Sequence, residues 1–204
     1  MHKSKNKDVL EILVGIDPGR HGAVVGLHPS DKEKGKYNVL FKMDVSFYNK
    51  DKNILDEMAT ILSWKPTNSK ESKSQHEGVK IVNDIQSGAI STTVYIEKVH
   101  SMPTDSKQSA FTFGMIFGQL IKFATIFLSS VVDGANIYMI PVQTWKKLIG
   151  IKKKEEAKDK IKDYIVMDDY GKMIVDADRL DVIEAALIAI AGHLQSIAPS
   201  GEKN

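Results

Sequence analysis

The stretch Leu13-Val-Gly-Ile-Asp17-Pro18-Gly19-Arg20-His-Gly-Ala23-Val-Val-Gly-Leu27 constrains this chain more than any other. An apolar, β-branched run ends on a carboxylate, breaks at Pro-Gly and resumes as a second apolar run. Proline presets φ and glycine supplies a positive φ after it, so the pattern predicts a hairpin of two strands. Asp17 then stands at the carboxyl end of a buried strand. The tripeptide alone leaves two readings open. Asp17 either caps its own turn, or is a functional carboxylate held in a set direction. Whether other acids arrive at the same place decides between them.

Two further segments deliver acids to element ends. Thr92-Thr-Val-Tyr-Ile-Glu97 reads as a strong strand that also finishes on a carboxylate. Arg179 to Gln195 reads as a helix, apolar nearly all round from Ala185 to Ala191 and therefore buried. Asp181 and Glu184 are three apart near its start and share a face. Unpaired charge is rare on a buried helix, so these acids either cap its end or project into a polar site. In the capping alternative Asp178 is the N-cap and Asp181 the third position of a capping box. Two strand-end and two helix-start carboxylates make an all-oxygen set suited to Mg²⁺ or Mn²⁺. Two such ions, about 3.5–4 Å apart, can activate a water and stabilise a leaving oxygen in phosphoryl displacement.

The remaining chain supplies a scaffold. Tyr37 to Asp44 alternates as a third strand after the polar connector Asp31 to Gly35. Lys52 to Trp64 has the apolar spacing of an amphipathic helix, and about 65–78 is a polar insertion without periodicity. A loop from His100 to Lys107 leads into a long apolar helix, Ser109 to Leu128. Gly114 and Gly118 stand four apart on that helix and suggest close packing on a sheet; Gln119 and Lys122 argue against a membrane span. Asn136 to Ile140 is a short strand. Pro141 opens a basic helical region that Gly150 interrupts and that resumes from Lys153 to Met167. Three strands followed by a β-α-β-α order indicate a mixed sheet with helices on its faces, in one domain of 204 residues.

Charge is segregated along the chain. The net formal charge is only +2, yet from Thr144 to Lys162 eight lysines stand against Glu155, Glu156 and Asp159. From Asp163 to Glu184 seven acids face Lys172 and Arg179. A basic stripe beside an acidic cluster suits a protein that binds polyanion and holds divalent cations, although a solvated lysine-rich helix face gives the same pattern. Lys146, Lys147, Lys152, Lys153 and Lys154 are the candidate phosphate contacts. Lysine acts on phosphate as a point charge, so affinity should exceed sequence discrimination. No cysteine occurs, which excludes disulfides and thiolate metal sites and suits a reducing compartment. The polar, lysine-rich start, Met1 to Asp8, reads against a secretory signal and for a soluble, cytoplasmic protein.

Gly-Ile-Asp17-Pro-Gly, Val-Tyr-Ile-Glu97 and Asp181-Val-Ile-Glu184-Ala-Ala-Leu-Ile-Ala, in this order, resemble the RuvC-type Holliday junction resolvases of the ribonuclease H-like superfamily. Ser109-Ala110-x3-Gly114-x3-Gly118 is similar to the family's helix after the catalytic Glu. Pro141-Val-Gln-Thr-Trp145-Lys146-Lys147 looks like its phage and viral members. The resemblance implies a five-stranded mixed sheet, three antiparallel strands then parallel ones, flanked by helices. It also implies a homodimer, with Asp17 bridging two ions and Glu97, Asp181 and Glu184 completing the ligands. Arg20, His100 and Lys107 join the lysines as DNA contacts. Two departures stand out: Glu184 replaces the family's usual Asp, and His100 occupies the place of an aromatic inserted at the junction centre.

The function expected is a Mg²⁺-dependent endonuclease that nicks four-way DNA junctions symmetrically during recombination, repair or replication. It would leave 5′-phosphate and 3′-hydroxyl ends and use no small-molecule cofactor and no membrane. Rivals are another ribonuclease H-like nuclease acting on branched or flap nucleic acid, and a non-catalytic junction-binding protein. An actin-like kinase would need a duplicated second half. A 3′-5′ exonuclease would want Asp-x-Glu on the first strand, where this chain has Asp17-Pro18-Gly19.

Overall fold

The computed structural model describes residues 10–19, 22–44, 90–99, 106–129, 136–166 and 179–198. Five strands, β1 (Leu10–Asp17), β2 (Ala23–Pro29), β3 (Tyr37–Asp44), β4 (Ile90–Lys98) and β5 (Asn136–Pro141), form one sheet in the order β3-β2-β1-β4-β5. β1 pairs antiparallel with β2 and β2 with β3, while β1–β4 and β4–β5 are parallel. This is the expected mixed sheet. Helices α1 (Lys107–Ser129), α2 (Val142–Ile149), α3 (Ala157–Lys160) and α4 (Leu180–Ile197) complete the described elements, with short 3-10 turns on either side of α3. The expected helix from Lys52 to Trp64 and the polar insertion lie outside the described residues.

The hairpin at Asp17 forms as expected, with Asp17 paired to Ala23. Its turn differs from the expected one. Positive φ occurs at Gly35 and Gly150 among the described residues, and Gly19 does not adopt it. A Cβ on Gly19 would lie 3.1 Å from Asp17 Oδ1, a tight contact to which the carboxylate would have to yield by a few tenths of an ångström.

Helix α4 fixes the site. It lies on the face of β1 that carries Leu13, Gly15 and Asp17, because alternate strand residues share a face. It is buried from Val182 to Gly192. A Cβ on Gly15 would stand 1.8 Å from the Ala185 carbonyl oxygen, so only glycine lets helix and strand approach this closely. Among the described residues α4 is also the helix apolar enough to cross a bilayer, and its place in the core accounts for that composition. The opposite face of the sheet buries Ile12, Val14, Ile16, Val24, Val94 and Ile96.

Three expectations are corrected. Gly114 and Gly118 on α1 are exposed, with open space where a Cβ would be, so they do not pack this helix onto the sheet; among the described side chains of α1, Leu120 and Ala124 are buried. Pro141 is the N-cap of α2 rather than its first helical residue. The lysine-rich segment after Gly150 is no continuous helix. Gly150 ends α2 in the left-handed conformation, and the chain resumes as a 3-10 turn, the four-residue α3 and a second 3-10 turn. Ala157, Ile161 and Ile165 keep the four-residue spacing and are buried. Beyond them Tyr164 and Val166 bond to the Tyr37 backbone at 2.7 and 3.0 Å, which draws the chain out of helix and alongside β3.

Candidate active site

Asp17 and Glu97 leave adjacent parallel strands on the face toward α4. The register pairs Gly15 with Tyr95 and Ile16 with Ile96, so one further step sets the two acids side by side. The N-terminal end of α4 brings Asp181 and Glu184 to the same place. All four line one cavity of about 510 Å³ with Gly19, Val142, Lys146, Lys154 and Leu180. The four sequence-predicted acids thus converge.

Each carboxylate has a partner from the protein. Asp17 Oδ1 accepts from the Gly19 backbone N–H at 2.9 Å. Glu97 Oε2 accepts from the Trp145 indole N–H at 2.9 Å. Asp181 is gripped by the Arg179 guanidinium through Nε at 3.3 Å and through Nη2. Glu184 is ion-paired with the Lys154 ammonium. The capping-box alternative for Asp181 is therefore not what forms: α4 begins at Leu180, Arg179 is its N-cap residue, and the Asp181 carboxylate is turned to Arg179.

Electrostatics here reflect burial and crowding of like charge. Burial pushes the Asp17 carboxyl up to about 7; the Glu97 and Glu184 charges add to the rise, while the Gly19 hydrogen bond and Lys154 oppose it. Glu97 is also raised, chiefly by burial, with the Trp145 hydrogen bond working against it. For Lys154, burial lowers the pKa, but the bond to Glu184 and the charges of Glu184, Asp17 and Asp181 outweigh it and leave it raised.

The donor set fits a hard divalent cation. Asp17, Glu97, Asp181 and Glu184 supply anionic oxygen, and among the described residues the lining holds no sulfur or imidazole. Among the described residues no three such groups are gathered tightly enough to grip an ion as they stand. The pairing of Glu184 with Lys154 and of Asp181 with Arg179 accounts for where those two carboxylates are turned.

The predicted basic residues divide. Lys146 and Lys154 line the cavity. Lys147, Lys152 and Lys153 are exposed beyond its lining, and Lys107 is exposed at the start of α1. Arg20, His100 and Asp178 lie outside the described residues. Two participants escaped sequence reasoning. Trp145 stood out only as part of a basic motif, whereas it is fully buried and bonded to Glu97. Lys154 was grouped with surface lysines, although its ammonium reaches a carboxylate only 8% exposed.

No family model and no curated protein matches this chain. Among solved structures it is similar to Thermus thermophilus RuvC, at 16% identity and a TM-score of 0.55, over 91% of this chain and 95% of that one. It is similar also to T. thermophilus RuvC in complex with Holliday junction substrate, at 14% identity and a TM-score of 0.50, over 91% and 94%. Yeast mitochondrial Holliday junction resolvase Ydc2 matches at 12% identity and a TM-score of 0.42, over 87% and 77%. The chain has the fold of RuvC.

Proposed function

We propose that this chain is a divalent-metal-dependent endonuclease that resolves four-way DNA junctions by paired, symmetric nicks. One observation carries the reading: on a RuvC-like fold, carboxylates from β1, β4 and α4 meet in a single cavity bordered by lysines. A structural neighbour with that fold is a complex with a Holliday junction substrate, which favours branched DNA over other polyanions.

Asp17, Glu97, Asp181 and Glu184 would hold two Mg²⁺ ions, with Mn²⁺ able to substitute. The chemistry such ions supply is activation of water for in-line attack and stabilisation of the leaving oxygen, giving 5′-phosphate and 3′-hydroxyl ends. The protein's own groups do the positioning. The Gly19 N–H holds the Asp17 carboxylate, and the Trp145 indole holds one oxygen of Glu97. Lys146, lining the cavity beside Glu97, is placed to attract a phosphodiester. Lys147, Lys152 and Lys153 carry exposed charge outward from the mouth for the flanking phosphates.

A two-fold junction is matched by two copies of the chain, each cutting one strand. The exposed Phe111 and Met115, four apart on α1 and 73% and 50% accessible, give that helix an apolar stripe for a second copy to cover. The test is incubation with end-labelled four-way junction, flap and duplex DNA, with and without Mg²⁺. Paired nicks in the junction alone, only with metal, are expected. Flap cutting of equal efficiency would favour a broader branched-DNA nuclease. Binding without cutting would identify a non-catalytic junction binder.

A further inference from the structure

Lys154 stands on the rim of the cavity by its backbone and in the site by its charge. It opens the 3-10 turn Lys154–Glu156, directly after Lys153 in extended conformation. From there its side chain, 49% exposed, reaches in to Glu184, which is 8% exposed. Its charge acts on Asp17 and Glu97 and is acted on by Asp181, so one ammonium serves all four acids. Lys146, also in the cavity lining, has its ammonium 5.4 Å over the Trp145 ring, and its charge bears on Glu97 together with that of Lys154. Arg179 is engaged with Asp181.

Four carboxylates drawn together at the end of a sheet repel one another, and a buried carboxylate left without a partner is costly. Lys154 offsets both costs. The same contact obstructs a metal ion, because the Glu184 oxygen that accepts from the ammonium is not free to coordinate. Lysine's flexible four-carbon stem and half-exposed position let the ammonium swing into solvent without unfolding the turn that carries it.

We infer that Lys154 is a displaceable resident cation: it holds the four-acid cavity together when metal is absent, and it must leave Glu184 for divalent metal to enter. Affinity for metal is thus set partly by a lysine that is not itself a ligand. This inference rests on the reading of the acids as a metal centre, and the experiment separates the two.

Wild type, Lys154→Met and Lys154→Arg are titrated with Mn²⁺, following binding by calorimetry and the melting temperature with and without metal. Methionine keeps much of the apolar stem and removes the charge, whereas arginine keeps the charge. Lys154→Met is expected to melt below wild type without metal and to bind Mn²⁺ about tenfold more tightly, since the competing charge is gone. Lys154→Arg should show no such tightening. Unchanged or weaker Mn²⁺ binding by Lys154→Met, with wild type responding to Mn²⁺, overturns the inference and leaves the metal centre standing. A chain that ignores Mn²⁺ in wild type and Lys154→Met alike overturns both.

A measurement on wild type covers the case in which Lys154→Met does not fold. The ¹⁵N-labelled lysine ammonium signal, assigned by its loss in Lys154→Arg, should be present without metal and vanish at saturating Mg²⁺. Persistence of that signal at saturation overturns the inference.

Discussion

The indole N–H of Trp145 donates to Glu97 Oε2 at 2.9 Å, tying the helix that follows β5 to the end of β4. Glu97 itself lines the cavity. Trp145 is also among the largest fully buried side chains, so one residue both anchors α2 in the core and orients an acid of the site.

Trp145→Phe separates these two roles, because phenylalanine keeps an aromatic ring and loses the donor. A hydrogen bond to a charged acceptor is worth about 1.5–3 kcal/mol, and urea unfolding should show a loss of that order. Far-UV circular dichroism should match wild type. Junction cleavage should require more Mg²⁺, since Glu97 is no longer oriented. An unchanged Mg²⁺ requirement would reduce Trp145 to a packing residue.

Burial of Asp17 links stability to pH with a definite sign. Its carboxyl is raised from 3.8 to about 7 in the folded chain. Between these values the folded state keeps a proton that the unfolded state has released. Metal-free stability should therefore fall as pH rises from about 4 to about 7, by at most ~1.4 kcal/mol per unit from this group. Asp17→Asn removes that dependence and, through its amide oxygen, can keep the bond to Gly19. Chemical unfolding should find the two proteins similar near pH 4 and the variant more stable at pH 8. A variant less stable at both pH values would contradict the repulsive, desolvated site described here.

Glycines sort by what a Cβ would meet. Gly15→Ala would place a methyl 1.8 Å from the Ala185 carbonyl oxygen, so α4 must move away from β1. A loss of about 3 kcal/mol or failure to fold is expected, at the upper end of what overpacking costs. Gly114→Ala and Gly118→Ala meet open space on a helix and should be neutral or stabilising by up to about 1 kcal/mol. Thermal melts of the three variants check the contrast.

Much of this was legible in the chain because the acids sit at element ends that local pattern reveals. Asp17 and Glu97 close β-branched runs, and Asp181 and Glu184 open an apolar helix, so their convergence followed from the order of strands and helices. The misread parts depend on distant partners. Nothing local to Trp145 points to Glu97, 48 positions earlier. The spacing of Gly114 and Gly118 has the same form whether the glycines face a sheet or solvent. The period of Ala157, Ile161 and Ile165 was real, but pairing of Tyr164 and Val166 with Tyr37 bent the segment away from one helix. Lys154 shares a run with Lys152 and Lys153, and only the fold decides which of the three turns inward.

The exposed lysines should make DNA binding steeply dependent on salt. Each phosphate contacted on duplex arms contributes about −0.9 to the log–log slope of affinity against salt. Neutralising Lys147 and Lys153, which lie outside the cavity lining, should flatten that slope by about two if both contact phosphate. Fluorescence anisotropy with labelled junction across a salt series reads the slope directly. An unchanged slope would make these residues a solvated face.

In the proposed function Asp17 and Glu97 hold the metal that cuts DNA while the basic residues around the cavity bind it. Asp17→Asn and Glu97→Gln should therefore be compared with wild type for junction cleavage in Mg²⁺ and, in parallel, for junction binding without metal. Both variants should lose cleavage by at least about a hundredfold, on the scale of losing a transition-state interaction of ~2.7 kcal/mol. Binding should stay within a few-fold of wild type. Cleavage that survives either substitution, or binding lost as severely as cleavage, would overturn the assignment of these acids.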